Sequence, residues 1–186
     1  MKRLVALAAL AATTFALTPY PTWAQAQQPY AGFEGRPIKA LSDQQIADLR
    51  AGRGMGLALA AELNGYPGPS HVIDLANSLE LSEAQRTKME ALFAAMKADT
   101  VPLGEKLIAE EADLERQFAS KTITEPSLTA AMQAIAKSQA ALRAAHLKYH
   151  LATAEVLTPT QVKRYAELRG YSNGPPAGHP HGGHQR

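Results

Sequence analysis

The sequence predicts an all-α fold: a long antiparallel helical hairpin with short flanking helices. Three observations predict it. The interior of the chain is rich in Ala, Leu, Glu, Gln, Lys and Met, which are good helix formers, and no stretch alternates as a strand does. Three copies of Leu-[Ser/Thr]-x-x-Gln mark helix starts: LSDQQ at 41–45, LSEAQ at 81–85 and LTPTQ at 157–161. Two long stretches then carry apolar residues at alternating steps of four and three, and a short turn joins them.

Each element can be justified in order. Lys2 and Arg3 precede an apolar run over residues 4–17, and Ala24 and Ala26 offer small residues for a peptidase. Residues 1–26 therefore read as a secretory signal peptide, too short in its apolar part for the ~20 residues a membrane span needs. Residues 27–40 are rich in Pro, Gly and Gln without an apolar period, and read as a flexible lead-in. A helical domain is expected over 41–170, and a disordered His-rich tail over 171–186.

Within the domain, each box reads as a capping box. The Ser or Thr hydroxyl accepts from the N3 amide, and the N3 Gln reaches back to the N-cap amide. Pro159 falls at the first helical position, where a missing N–H costs nothing. Leu41 with Ile46, and Leu157 with Val162, fit the hydrophobic staple. A first helix is expected over about 42–63, ending at Asn64-Gly65, and a short one over about 71–79. The next helix starts at Ser82 and reaches about Phe118, with a seam through Met89, Phe93, Met96, Thr100, Leu103, Leu107, Glu110, Leu114 and Phe118 and a kink near Pro102. Thr124 caps its partner, about 125–156, whose seam runs through Leu128, Met132, Ile135, Gln139, Leu142, His146, Tyr149, Thr153 and Val156. A last helix runs from Pro159 to Arg169 and stops at Gly170.

Composition excludes several functions. There is no cysteine, so disulfides, thiolate metal sites, thiol catalysis and a cysteine-linked lipid anchor are ruled out. The formal charge of +2 is carried by Lys2 and Arg3 of the leader, so the remaining chain is neutral and no nucleic-acid partner is expected. GRGMG at 52–56 is not a phosphate loop, because its second gap is wrong and no strand precedes it. Gly52 and Gly56 instead suit close helix contact.

The histidines carry the most chemistry. His146 and His150 stand one helical turn apart, so both imidazoles reach one ion. The string HLKYH resembles the zinc-protease motif HExxH, but Leu147 replaces the catalytic Glu and no hydrolase is expected. The bland alternative is a hydrogen-bonded seam histidine beside a surface one. If the hairpin turns near Thr122, Asp99 comes opposite His146 or one turn away. His71 and Asp74 form an i, i+3 pair before the second box, and His71 alone reads equally as structural. The tail holds His179, His181 and His184, which suit Zn, Ni or Cu or simply water. No organic cofactor is implied.

LSEAQ, the long hairpin and LTPTQVKRYAELRGY together resemble the LTxxQ-motif, Spy/CpxP-like family of periplasmic stress proteins. That family includes a heavy-metal resistance and sensor branch, of the ZraP and CnrX type. The resemblance covers about residues 70–171. It implies no enzyme, a periplasmic location and a hairpin that forms a homodimer. It also implies one of two functions. One is binding of a divalent metal ion for sensing or resistance, with ligands at a pair one turn apart before the last box and in the stretch before LSEAQ. The other is ATP-independent chaperoning of unfolded periplasmic clients, or restraint of a membrane sensor protein. Two departures stand out. Ala84 and Thr160 replace the Glu usual before the box Gln, and the segment at 41–65 has no counterpart in the smaller members.

Overall fold

The computed structural model describes residues 30–171. The predicted signal peptide, the start of the lead-in and the tail from residue 172 lie outside the described residues. Six α-helices follow in order among the described residues: α1 (Asp43–Arg50), α2 (Leu59–Glu62), α3 (Pro69–Asp74), α4 (Glu83–Ala119), α5 (Glu125–Val156) and α6 (Pro159–Leu168). α4 and α5 pack together as the antiparallel hairpin, and α1 and α3 pack on α4.

All three boxes cap helices reciprocally: Ser42 with Gln45, Ser82 with Gln85, and Thr158 with Gln161. Thr124 forms a fourth box with Ser127 at the start of α5. Pro102 lies inside α4, and the helix continues through it. The two staples also pack: Leu157 is buried beside Val162 in one cluster, and Leu41 and Ile46 join the other.

The hairpin seam is buried at Met89, Met96, Thr100, Leu107, Ile135, Leu142, His146, Tyr149 and Thr153. Phe93, Leu103, Glu110 and Leu114 are only half-buried, Phe118, Met132 and Gln139 are exposed, and Ser138 takes the buried place beside Gln139. A straight helix of 3.6 residues per turn drifts against a 3.5-residue pattern, so a strict heptad reading can exchange neighbouring positions such as 138 and 139.

The largest departure from expectation is at 42–63, predicted as one helix. It breaks after Arg50, and α2 is only a short turn of helix. Gly52, Met55 and Gly56 all take positive φ, at 65°, 44° and 84°. The break follows from how α1 docks. A Cβ on Gly104 would stand 2.5 Å from the Leu49 carbonyl oxygen, and one on Gly52 would stand 2.7 Å from Thr100 Oγ1. Only glycine permits that approach, and the chain must then turn sharply off α4. The predicted lead-in also differs at its end. Ile38 is buried with Leu49 and Leu107, and Lys39 pairs with Glu115 at 2.5 Å.

Candidate metal centre

α5 carries the two helical histidines beneath the segment that follows α1. His146 is 2% exposed, and its Nε2 is fully buried with no hydrogen-bond partner. A buried imidazole nitrogen in that state is costly unless something satisfies it. His150 is buried as well, because the connection between α2 and α3 lies over it. Its Nδ1 stands 2.7 Å from the Tyr66 carbonyl oxygen. A carbonyl only accepts, so Nδ1 carries a proton, and in that tautomer the lone pair available to a ligand is on Nε2. Gly68 leaves room at that nitrogen: a Cβ there would lie 3.0 Å from Nε2 and 2.9 Å from Cε1.

Both rings line one cavity of about 220 Å³. The hairpin supplies Met96, His146 and His150; the segment after α1 supplies Gly54, Met55, Gly56, Leu59 and Glu62; and the C-terminal end supplies Arg169 and Tyr171. His71 also lines it from α3, with its side chain 45% exposed. Burial, and then the neighbouring His150, push the His146 imidazole below its ordinary pKa. The ring is thereby held neutral, which is the form that ligates a metal ion.

Glu62 is the residue that sequence reasoning missed. Its buried carboxylate accepts hydrogen bonds from the Tyr165 hydroxyl, from Tyr171 OH at 3.1 Å and from the Gly68 amide at 3.2 Å. Arg169 Nε lies 3.7 Å away and so does His150 Nδ1. Burial, followed by the bond to Glu62, pushes the Tyr165 hydroxyl well above its usual pKa, so it stays a donor. Tyr171, predicted to start the tail, is thus tied into the domain. No local pattern marked Glu62, because its tyrosine partners lie 103 and 109 residues away.

The other candidates are placed elsewhere. Asp99 faces α5, but Lys148 Nζ at 2.5 Å and Tyr149 OH at 2.7 Å engage its carboxylate, and these bonds hold its pKa below the usual range. Asp74 is 71% exposed, 3.9 Å from His71 Nδ1. Neither aspartate lines the cavity. His179, His181 and His184 lie outside the described residues. Among the described residues, no three His, Cys, Asp or Glu side chains are grouped to hold an ion by themselves. The structure brings together His146, His150 and His71 around one space, with two methionines, and leaves the carboxylates predicted to complete them outside it.

No curated protein and no solved structure matches the chain. A family model described as heavy-metal resistance matches residues 55–164. The match begins at Met55, so it takes in the segment over the histidines that the LTxxQ resemblance had left out, and α1 stands before it. It covers more than half of the 186 residues, and the chain belongs to this heavy-metal resistance family.

Proposed function

We propose that the chain is a non-enzymatic periplasmic protein that binds a heavy-metal ion, with Zn, Ni and Cu as candidates, for sensing or resistance. The observation that carries this reading is the buried, unpartnered Nε2 of His146 in a cavity it shares with His150. A bound ion would satisfy that nitrogen, and His150 would present Nε2 to the same space. His71 at the rim, or a second copy of the chain, would add further ligands. Membership of the heavy-metal resistance family supports the reading, and the leader expected over residues 1–26 supports the location.

The test is calorimetric titration with Zn(II), Ni(II) and Cu(II). The full chain would carry His179→Ala, His181→Ala and His184→Ala, so that tail imidazoles take no part. Adding His146→Ala and His150→Ala should remove the binding that remains. Equal affinities in the two proteins would overturn the helix site.

A second reading is ATP-independent holding of unfolded clients, or restraint of a membrane sensor. It is favoured by exposed apolar side chains on the hairpin, Phe118, Met132 and Leu151, and by Leu59 and Leu63 beside it. If this reading holds, near-stoichiometric protein slows aggregation of unrelated unfolded clients without ATP, and no effect at molar excess would end it.

A further inference from the structure

Zn, Ni and Cu differ in charge and in ligand preference, and the lining of the cavity discriminates among them. Its two non-histidine soft groups are Met55 and Met96. One comes from the segment after α1, where Met55 is 40% exposed at the mouth, and one from α4. Met96 is 7% exposed. Met55 is held at φ 44°, a conformation that side chains rarely take, between Gly54 and Gly56. Backbone strain of this kind persists where the surroundings fix it.

The lining offers little to a hard ion. Its one carboxylate, Glu62, is already committed to Tyr165, Tyr171 and the Gly68 amide, with Arg169 beside it. That arginine offsets the carboxylate charge. A divalent ion held by neutral imidazoles and thioethers would therefore bring two positive charges that the lining does not compensate, and a monovalent ion one, in a cavity that is only partly open at Met55 and His71. Burying uncompensated charge is costly. Thioether ligands also select soft ions such as Cu(I), whereas carboxylate and water suit harder ones.

We propose that the cavity is a copper(I) site, with the thioethers of Met55 and Met96 and the imidazoles of His146 and His150 as its ligand set. This rests on the reading of the cavity as a metal site and adds the ion and the methionines to it. The unpartnered Nε2 of His146 is the independent mark of a missing ligand.

The experiment uses the full chain with the three tail histidines changed to alanine. Cu(I) is delivered anaerobically against a chromophoric competitor, with Ag(I) as a redox-inert probe, and Zn(II) and Ni(II) are titrated in parallel. The variant is Met55→Leu/Met96→Leu, which keeps volume and removes sulfur; circular dichroism confirms that it folds. Cu(I) and Ag(I) should bind more tightly than Zn(II) or Ni(II). The double variant should lose at least about 100-fold in Cu(I) affinity, the upper end for loss of a mere supporting group, and its Zn(II) affinity should stay unchanged. X-ray absorption at the copper edge should show sulfur neighbours that vanish in the variant. Cu(I) affinity indifferent to both leucines would overturn the inference, and so would Zn(II) or Ni(II) binding tighter than Cu(I); either result leaves the histidine reading standing. No binding of any of the four ions would remove that reading, and this one with it.

Discussion

Gln85 and Gln161 hold each other through their side-chain amides. Gln85 Nε2 lies 2.8 Å from Gln161 Oε1, and Gln161 Nε2 lies 3.0 Å from Gln85 Oε1. Each oxygen also accepts from its own helix's N-cap amide, Ser82 N at 3.1 Å and Thr158 N at 2.9 Å. Each amide nitrogen further donates to a carbonyl, Val156 at 3.0 Å and Leu79 at 3.2 Å. The box is therefore a tertiary fastener as well as a cap. It joins the starts of α4 and α6 at the end of the hairpin where α5 stops.

That double role predicts unequal costs for the same substitution. Gln45 makes its box on α1 but has no such cross-partner among the described residues. Gln45→Ala should cost about 1 kcal/mol, the worth of a cap. Gln85→Ala and Gln161→Ala should each cost about 2–3 kcal/mol, because partly buried carbonyls lose their donors too. Urea denaturation of the double variant should show coupling of about 1 kcal/mol or more between the two glutamines. Additive effects would mean the pair contributes only through its separate caps.

Glu62 predicts a larger effect, from a residue with no exposed face. Removing the carboxylate strands the Tyr165 hydroxyl in the core and leaves Arg169 without its counter-charge. Glu62→Ala should cost about 3 kcal/mol or more, because two buried donors, the Tyr165 hydroxyl and the Gly68 amide, lose their acceptor at about 1–3 kcal/mol each. Glu62→Gln should cost clearly less, since an amide oxygen still accepts from Tyr165 and Tyr171. Equal destabilisation by both, read from denaturation midpoints, would place the cost in the lost negative charge rather than in the packing and hydrogen bonds that glutamine keeps.

What the sequence disclosed follows from the range of the interactions. A capping box needs only three residues of separation, so the starts of α1, α4 and α6 were legible as written, and Thr124 at α5 was too. The hairpin was legible because its seam repeats over many turns. The break after Arg50 was not, because it depends on Leu49 meeting Gly104 across 55 positions of sequence. The same distance hid the cavity. His146 and His150 announced themselves by spacing, but the groups that cover His150, Tyr66 and Gly68, precede it by some 80 residues. Asp99 was placed opposite α5 as expected, and its engagement by Lys148 was invisible to a pairing rule that considered only distance along the hairpin.

Glycine contacts separate the docking of α1 from the shaping of the site. Gly104→Ala puts a methyl 2.5 Å from the Leu49 carbonyl, a backbone atom that cannot swing aside. It should destabilise the chain by about 1–3 kcal/mol, as overpacking does. Gly68→Ala instead meets the His150 ring at 2.9 Å, and that ring can turn only by giving up its bond to Tyr66. Its signature should be weaker metal binding together with a stability loss of about 1–3 kcal/mol from the broken bond to Tyr66, and a shifted His150 imidazole resonance. Unchanged affinity in Gly68→Ala would mean that His150 Nε2 takes no part in the site.

Acid should loosen the metal-free protein through His146. Burial and His150 place its folded-state pKa below the ordinary 6.5, while the unfolded chain titrates at that ordinary value. Above pH 6.5 both states hold the ring neutral, and stability does not depend on it. As pH falls below 6.5 the unfolded state takes up the proton first, so stability drops, and the drop ends only when the folded ring also protonates. Its slope for one proton is at most about 1.4 kcal/mol per pH unit. The lowered pKa also keeps the imidazole open to metal at pH values where an exposed histidine would already be charged, and binding then fades as protons compete. Urea midpoints measured from pH 7.5 downward should fall in the wild-type chain and fall less steeply in His146→Asn, whose amide does not titrate. Parallel slopes in the two proteins would show that another group, not His146, takes up the destabilising proton.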